Sequence, residues 1–179
     1  DLGCGNGRHI KFLLDENHKV NGLDFSKQSI KKLNNSKIKS KNYFLDLNSL
    51  NKLKKKYDGI IDCFTSYTLK RNHFENYISQ MKKLLKKNGF FHLQTLSVKS
   101  DLFINFKPSK RIEKFSLDRI SRSNSPFPND NYLFTFYSKD YLLKLFKKFK
   151  FRNINIEKHS RSYNNSKEYF EYFVLEAKK

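Results

Sequence analysis

Residues 1–7 (DLGCGNG) are a glycine-rich segment that constrains the fold more than any other part of the chain. Glycines at alternate positions allow the backbone to turn sharply and to approach a ligand that a Cβ atom would block. The segment is predicted to join the end of a strand to the start of a helix. Gly5 and Gly7 are separated by Asn6 alone, whereas the dinucleotide-binding fingerprint has two residues at this point. The spacing therefore argues against NAD as a ligand.

An acidic residue follows at the distance that suits ribose recognition. Residues 19–24 (KVNGLD) are predicted to form a short strand that ends at Asp24. A carboxylate about 20 residues after a glycine turn, at the end of the next strand, accepts hydrogen bonds from ribose hydroxyls. Asp24 is therefore a candidate ligand-binding residue.

Short apolar runs alternate with amphipathic helices along the rest of the chain. Helices are predicted over residues 7–17, after Ser26, over residues 74–85 up to the turn at Asn88 and Gly89, and after Ser138. Strands are predicted at residues 19–24, 42–46, 57–64, 90–96, 151–157 and 169–177. This alternation implies right-handed crossovers and a mostly parallel sheet covered by helices on both faces. The length suits a single domain over residues 1–179.

Residues 97–137 interrupt this order. Their hydrophobic periodicity is weak, and they contain all three prolines of the chain. A connection of this length is uncommon in α/β domains, which place substrate loops and lids in such segments. We predict that these residues, called the insertion below, determine which substrate is bound.

Five segments occur in an order that is typical of a known protein family. They are residues 1–7, 21–26 (NGLDFS), 44–50 (FLDLNSL), 57–69 (YDGIIDCFTSYTL) and 86–94 (KKNGFFHLQ). The first four resemble motifs I to IV of the class I S-adenosylmethionine-dependent methyltransferases, and the fifth resembles the turn and strand that follow. The resemblance extends over essentially the whole chain.

This resemblance implies that S-adenosyl-L-methionine is the cofactor, and it assigns the contacts. In the family, the motif I backbone lies against the methionine part, the acidic residue after the second strand binds the ribose, and the next residue lies beside the adenine. The third motif contacts the adenine edge, and the fourth approaches the methionine end. The implied cofactor-binding residues are Asp1, Gly3, Gly5, Gly7, Asp24, Phe25, Asp46, Leu47, Asp62 and Cys63. Asp46 has an alternative role as the cap of the helix that follows it.

The resemblance also implies a Rossmann-like α/β fold. Its seven-stranded, mostly parallel sheet has the order 3-2-1-4-5-7-6, with strand 7 antiparallel, and the aromatic run at residues 169–174 suits that last strand. The first strand is central in this order, yet only Asp1 and Leu2 remain of it. We therefore expect the chain to be an N-terminally truncated copy of a longer protein and to be poorly stable alone.

Methyl transfer from a sulfonium requires mainly that acceptor, methyl carbon and sulfur are held in line. A general base is needed only when the acceptor arrives protonated. Tyr67 is a candidate for that role because some relatives place a catalytic side chain just past the fourth strand, and His73 and His92 are further candidates. For Tyr67 the alternative is a buried packing residue. Neither Cys4 nor Cys63 is assigned thiol chemistry, and no metal site is predicted.

The charge of the chain leaves two classes of acceptor open. The formal net charge of +20 is typical of phosphate-binding proteins, but the lysines accompany abundant Asn, Ile, Phe and Tyr, as AT-rich codon usage would give. We predict a small-molecule acceptor. The alternative is an RNA or tRNA methyltransferase in which Arg111, Arg119 and Arg122 bind phosphates. Residues 62–65 (DCFT) differ from the Asn/Asp-Pro-Pro-Tyr/Phe run of enzymes that methylate base amines.

A non-catalytic cofactor-binding protein is the second alternative, although the glycine turn and the ribose carboxylate are both intact. Two cysteines without metal-ligand spacing favour a reducing compartment. The sequence contains no run of about 18 apolar residues and no signal peptide pattern. We therefore predict a cytoplasmic protein that does not associate with membranes.

Overall fold

The computed structural model of the chain describes residues 1–120, 133–163 and 165–179. Two short 3₁₀ helices occur at Leu47–Lys52 and Ser66–Thr68. The α-helices are α1 (Arg8–Asp15), α2 (Lys27–Asn34), α3 (Arg71–Leu84), α4 (Asp101–Ile104) and α5 (Lys139–Lys148). The strands are β1 (Asn21–Asp24), β2 (Lys41–Phe44), β3 (Tyr57–Cys63), β4 (Leu85–Leu96), β5 (Arg111–Glu113), β6 (Ser116–Leu117), β7 (Phe134–Thr135), β8 (Arg152–Tyr163) and β9 (Glu168–Lys178).

The main strands form a mixed sheet in two parts. β1 pairs in parallel with β2, and β3 pairs in parallel with β4. β9 is antiparallel to β4, and β8 is antiparallel to β9. Leu2 forms parallel bridges to Leu23 in β1 and to Asp62 in β3, so it lies between the two parts. The α/β class predicted from the alternation of apolar runs is confirmed.

Neighbouring residues of a strand point to opposite faces of the sheet, and helices pack against both faces of β1. Leu23 belongs to the large core, to which α3, α5 and the 3₁₀ helix at Leu47–Lys52 contribute side chains. A Cβ atom on Gly22 would contact Ile10 of α1 and Cys4, which belong to a smaller core shared with α2. The two cores therefore lie on opposite faces of the same strand.

Local sequence signals explain where several helices begin. The hydroxyl of Ser26 accepts a hydrogen bond from the Ser29 N–H (3.2 Å) and caps α2. Ser138 caps α5 in the same way by accepting from the Tyr141 N–H (3.3 Å). On α3, the apolar positions that predicted the helix are buried; they are Phe74, Tyr77, Ile78, Met81 and Leu84.

Several boundaries predicted from the sequence are wrong. The helix predicted over residues 74–85 was expected to continue to the turn at Asn88 and Gly89, but α3 ends at Leu84 because Leu85 already pairs with Tyr57 in the sheet. The strands predicted at residues 151–157 and 169–177 are longer, since β8 and β9 pair with each other as far as Tyr163 and Glu168. The polar run from residue 158 to 162 lacks strand periodicity and becomes a strand through that pairing.

The insertion contains a small folded unit of its own. Its described residues form α4 and the three antiparallel strands β5, β6 and β7. Phe103, Leu117, Phe134 and Phe136 form a third apolar core that also includes Tyr67 and Leu96. The insertion therefore packs against the carboxyl ends of β3 and β4.

Within the described ranges, no helix is long and apolar enough to cross a lipid bilayer.

The carboxyl group of Asp62 is fully buried beneath the end of β3. It accepts hydrogen bonds from the Tyr77 hydroxyl (2.7 Å) and from the N–H groups of Thr65 (3.0 Å) and Ser66 (3.3 Å). Burial raises its pKa above the ordinary value of 3.8, while these donors act in the opposite direction. Because the folded state then binds the proton more tightly than the unfolded chain, the contribution of Asp62 to stability decreases as the pH rises from 3.8 through the folded pKa.

We predict that Tyr77→Phe destabilises the protein. The substitution leaves a buried carboxyl oxygen without its side-chain donor, which costs about 1–3 kcal/mol of the free energy of unfolding. Urea denaturation at neutral pH measures this loss. Tyr141→Phe is the control, because the Tyr141 hydroxyl is half-buried and bonds Glu75 at 3.3 Å, so water can replace that contact. Equal stability of wild type and Tyr77→Phe would contradict the prediction.

Candidate active site

The glycine turn begins where Leu2 lies between β1 and β3. The Leu2 N–H donates to the Ile61 carbonyl (2.9 Å), and the N–H groups of Gly3 and Cys4 both donate to the Leu23 carbonyl (2.7 and 3.0 Å). These bonds hold the turn at the carboxyl ends of two parallel strands. Ligands of α/β proteins bind at this end of the sheet.

Two glycines in this turn have different roles. Gly3 has a φ of 68°, and a Cβ atom there would lie 2.2 Å from Thr65 Oγ1, so the space is already filled by protein. Gly5 has a φ of 50°, and a Cβ atom there would meet nothing within 4 Å. The backbone at Gly5 therefore faces open space in which a ligand could contact it directly.

Asp24 lies beside this open space at the end of β1. Its carboxylate accepts hydrogen bonds from the Gly5 N–H (Oδ2, 2.8 Å) and from the Ser26 N–H (Oδ1, 2.8 Å). The side chain is held in one orientation by these two bonds and is 8% exposed. A carboxylate has about four acceptor positions, so roughly two remain for the hydroxyls of a ligand.

Asp1 places a second carboxylate at the base of the turn. Its side chain is 1% exposed, and neither oxygen has a hydrogen-bond partner among the described residues. His9 Nδ1 lies 3.8 Å from one of its oxygens, and burial lowers the pKa of that imidazole below its ordinary value of 6.5. A buried carboxylate without donors is costly, and it suits a ligand with a cationic amino group.

The end of β2 is joined to the same edge of the sheet. The Leu45 N–H donates to the Asp24 carbonyl (3.0 Å), which brings Asp46 and Leu47 close to β1. Asp46 Oδ1 accepts from the N–H of Asn48 (2.7 Å), so this residue caps the 3₁₀ helix that follows. The side chain of Leu47 is buried in the large core. Phe25 is 54% exposed at the end of β1.

The carboxyl end of β3 combines buried and strained residues. The Asp62 side chain points into the core toward Tyr77, so only its backbone faces the turn. Burial raises the pKa of the Cys63 thiol to about 11, so the thiol is protonated at neutral pH. Phe64 has a φ of 56°, in the left-handed region that bulky residues avoid. Its conformation and the contact of Thr65 with Gly3 were missed in the sequence, where no residue pattern marks them.

Two of the three side chains considered for acid-base chemistry, Tyr67 and His92, contact other residues. Tyr67 is buried and its ring stacks on that of Phe134, with centroids 5.3 Å apart. Burial raises the pKa of its hydroxyl to about 12. His92 lies on β4, with Nδ1 3.1 Å from Glu176 and Nε2 3.2 Å from Gln94. His73 is exposed in the first turn of α3.

Two of the three arginines predicted to bind phosphates, Arg111 and Arg119, lie in the described residues. The guanidinium of Arg111 lies over the rings of Phe103 (4.8 Å) and Phe106 (4.9 Å) of the insertion. Arg119 is half-buried, and its Nε atom has no hydrogen-bond partner. Arg122 lies outside the described residues.

A groove of about 500 Å³ occurs at the opposite end of the sheet. It is lined by Asp1 and by Asn21 and Tyr57, the first residues of β1 and β3, together with Val20 and Phe90. Gly5 and Asp24 do not line it. The candidate site is the open space beside Gly5 and the carboxylate of Asp24.

We predict that alanine at Gly5 mainly impairs ligand binding, whereas alanine at Gly3 mainly impairs stability. Gly5→Ala should preserve the fold at a cost of about 1–2 kcal/mol for the left-handed backbone, but its methyl group would occupy the ligand space and abolish binding of S-adenosylhomocysteine. Gly3→Ala should lower the melting temperature more, because its methyl group collides with Thr65. Calorimetry of ligand binding and thermal melts of both variants check this. Wild-type affinity in Gly5→Ala would exclude the open space as the cofactor site.

Comparison with known proteins identifies the fold and the family of the chain. The fold is similar to that of S-adenosylmethionine-dependent methyltransferases from Methanosarcina mazei (TM-score 0.76, 16% identity, covering 100% of this chain and 90% of that chain) and Archaeoglobus fulgidus (0.74, 16%, 100% and 84%). It also resembles the Burkholderia thailandensis 1,6-didemethyltoxoflavin-N1-methyltransferase, whose structure contains 1,6-didemethyltoxoflavin and S-adenosylhomocysteine (0.66, 16%, 99% and 69%). No curated protein matches this chain in sequence. Residues 1–150 match the family described as a methyltransferase domain, and the chain belongs to that family.

Proposed function

We propose that this enzyme transfers a methyl group from S-adenosylmethionine to a small-molecule acceptor. The observation that carries the proposal is the open space at Gly5, where a backbone that a Cβ atom would obstruct lies beside the oriented carboxylate of Asp24. A glycine backbone and a carboxylate in this arrangement suit a ligand that contains a ribose and an extended chain.

The residues present fit the parts of that cofactor. Asp24 binds the ribose hydroxyls through the acceptor positions that Gly5 and Ser26 leave open. The unpaired carboxylate of Asp1 suits the cationic amino group of the methionine part. The other proposed contacts are Gly3, Gly5 and Gly7 to the methionine part, Phe25, Asp46 and Leu47 around the adenine, and the backbone of Asp62 and Cys63 at the methionine end.

S-adenosylmethionine supplies a methyl group that is already activated by its sulfonium, so the protein mainly holds the reactants in line. Loss of the hydroxyl proton of Tyr67 is opposed by burial, which raises its pKa to about 12. The thiols of Cys4 and Cys63 are protonated for the same reason, since burial raises their pKa to about 11. We infer that none of these groups acts as the general base and that the acceptor presents its own lone pair.

A small acceptor is supported by the surroundings of the turn. The similar Burkholderia protein is named for methylation of a small heterocyclic molecule. The core of the insertion packs on Tyr67 and Leu96 near the carboxyl ends of β3 and β4. We therefore assign acceptor selection to the insertion.

We also propose that residues 1–179 form one domain in which the strands outside the insertion make a single sheet. The bridges of Leu2 to Leu23 and Asp62 support a central position for residues 1 and 2 between β1 and β3. The proposed order is β2, β1, residues 1 and 2, β3, β4, β9 and β8. This corresponds to 3-2-1-4-5-7-6 in the family's numbering of strands.

We predict that Asp24→Ala weakens binding of S-adenosylhomocysteine by about 1.5–3 kcal/mol, the range for hydrogen bonds to a charged group. The 2′,3′-dideoxyribose analogue of the same ligand lacks both ribose hydroxyls. Comparing the two ligands therefore separates loss of the ribose contact from a general disturbance of the glycine turn. Wild type should discriminate between the two ligands, and Asp24→Ala should not. Calorimetry measures the four affinities. Discrimination that survives in Asp24→Ala would assign the ribose contact to another residue.

A further inference from the structure

Four aromatic rings meet beyond the carboxyl end of β3. The ring centroid of Phe64 lies 5.2 Å from that of Tyr172 and 6.3 Å from that of Phe170, both on β9. Tyr163 on β8 extends the row, with its centroid 6.4 Å from Phe170. Phe64, Phe170 and Tyr172 are half-buried, and Tyr163 is 39% exposed. We call these four residues the aromatic face.

The aromatic face lies next to the glycine turn. Thr65, which directly follows Phe64, packs on Gly3 and donates its hydroxyl to the Leu2 carbonyl (3.0 Å). The left-handed conformation of Phe64 is strained, and such strain persists only where the surroundings enforce it. Here the N–H of Phe64 bonds the Gln94 carbonyl (3.1 Å), and its ring contacts β9. A strained residue thus brings an aromatic ring beside the turn.

A cationic side chain lies on the same face of the β8–β9 hairpin. Arg161 pairs with Phe170 and His159 pairs with Tyr172, and directly paired residues of antiparallel strands project to the same side. The imidazole of His159 stacks on Tyr172 at 5.4 Å and lies 3.3 Å from Glu157 Oε2. Arg161 forms no ion pair with a carboxylate among the described residues. Its guanidinium is therefore available to an anion.

We propose that the aromatic face binds the methyl acceptor and that this acceptor is a planar aromatic or heteroaromatic molecule with an anionic group. This inference rests on the proposed function and specifies its substrate class. The rings provide stacking and edge contacts for a planar molecule, and Arg161 binds its negative group. Glu157 and Glu168 lie on the same side of the hairpin, at either end of the row. The two carboxylates flank the row, so a single anionic group can bind at Arg161 between them, whereas they would repel the successive charges of a phosphate backbone.

Binding of quinaldate, a planar heteroaromatic carboxylate, to the protein saturated with S-adenosylhomocysteine tests the proposal. We expect saturable binding, with cyclohexanecarboxylate much weaker because it has the same charge but no planar ring. Phe64→Leu and Tyr172→Leu should each weaken quinaldate binding about three- to tenfold, and Arg161→Gln about tenfold or more. Thermal melts establish that each variant is folded.

Matched controls use the same substitutions away from the aromatic face. Phe90→Leu changes a 46% exposed ring on β4 at the other end of the sheet, and Arg152→Gln changes an arginine at the other end of β8. Neither should alter quinaldate affinity. Equal losses in these controls, equal affinity for cyclohexanecarboxylate, or no saturable quinaldate binding would overturn the inference.

The outcomes separate this inference from the proposed function. S-adenosylhomocysteine binding without quinaldate binding overturns the aromatic acceptor and leaves the methyltransferase proposal intact. Absence of S-adenosylhomocysteine binding contradicts the proposed function. Quinaldate titration of the free protein then tests the aromatic face by itself: saturable binding supports it as a binding surface, and no saturable binding overturns it. Oligouridylate binding that Phe64→Leu and Tyr172→Leu weaken, and that quinaldate does not displace, would identify RNA as the occupant and overturn the small acceptor.

Discussion

The hydrogen bonds of residues 1 and 2 to strands on both sides determine where the candidate site is built. The Leu2 N–H bonds the Ile61 carbonyl, and the Asp1 carbonyl accepts from the Leu23 N–H, both at 2.9 Å. These bonds connect the β1–β2 pair to β3 and fix the position at which the chain leaves the sheet. Because the glycine turn starts at that position, Gly5 reaches Asp24 and Gly3 reaches Thr65. The proposed cofactor side and the proposed acceptor side are thereby connected through one short stretch of backbone.

Much of the fold followed from patterns that act over a few residues. Apolar spacing identified α3 and α5, and Ser26 marked the start of α2, because amphipathic faces and caps are local properties. The end of α3 was placed too late, since the pairing of Leu85 with Tyr57 is a contact between distant parts of the chain. The strands of the insertion were also missed. β6 and β7 have two residues each, which is too short for periodicity to register.

In the candidate site, too, features set by local sequence were predictable and features set by distant contacts were not. The glycine spacing and the distance to Asp24 sufficed to predict a carboxylate beside the turn, and the structure adds that Gly5 and Ser26 orient it. Whether Asp24 binds a ribose stays a prediction. The left-handed backbone of Phe64 could not be predicted, because phenylalanine carries no preference for that conformation. Its cause lies in the pairing with Gln94 and in the rings of β9, which are about a hundred residues away in sequence.

The length of the β8–β9 hairpin has a mechanical consequence. Pairing between β4 and β9 stops at Leu96 and Tyr172, whereas β8 and β9 remain paired out to Tyr163 and Glu168. The outer part of the hairpin is thus a two-stranded ribbon in the described residues, and such ribbons twist and bend more readily than wider sheets. The Ser97 hydroxyl donates to Glu171, on this ribbon, at 2.6 Å. Bending of this ribbon beyond Tyr172 would therefore move the start of the insertion with it.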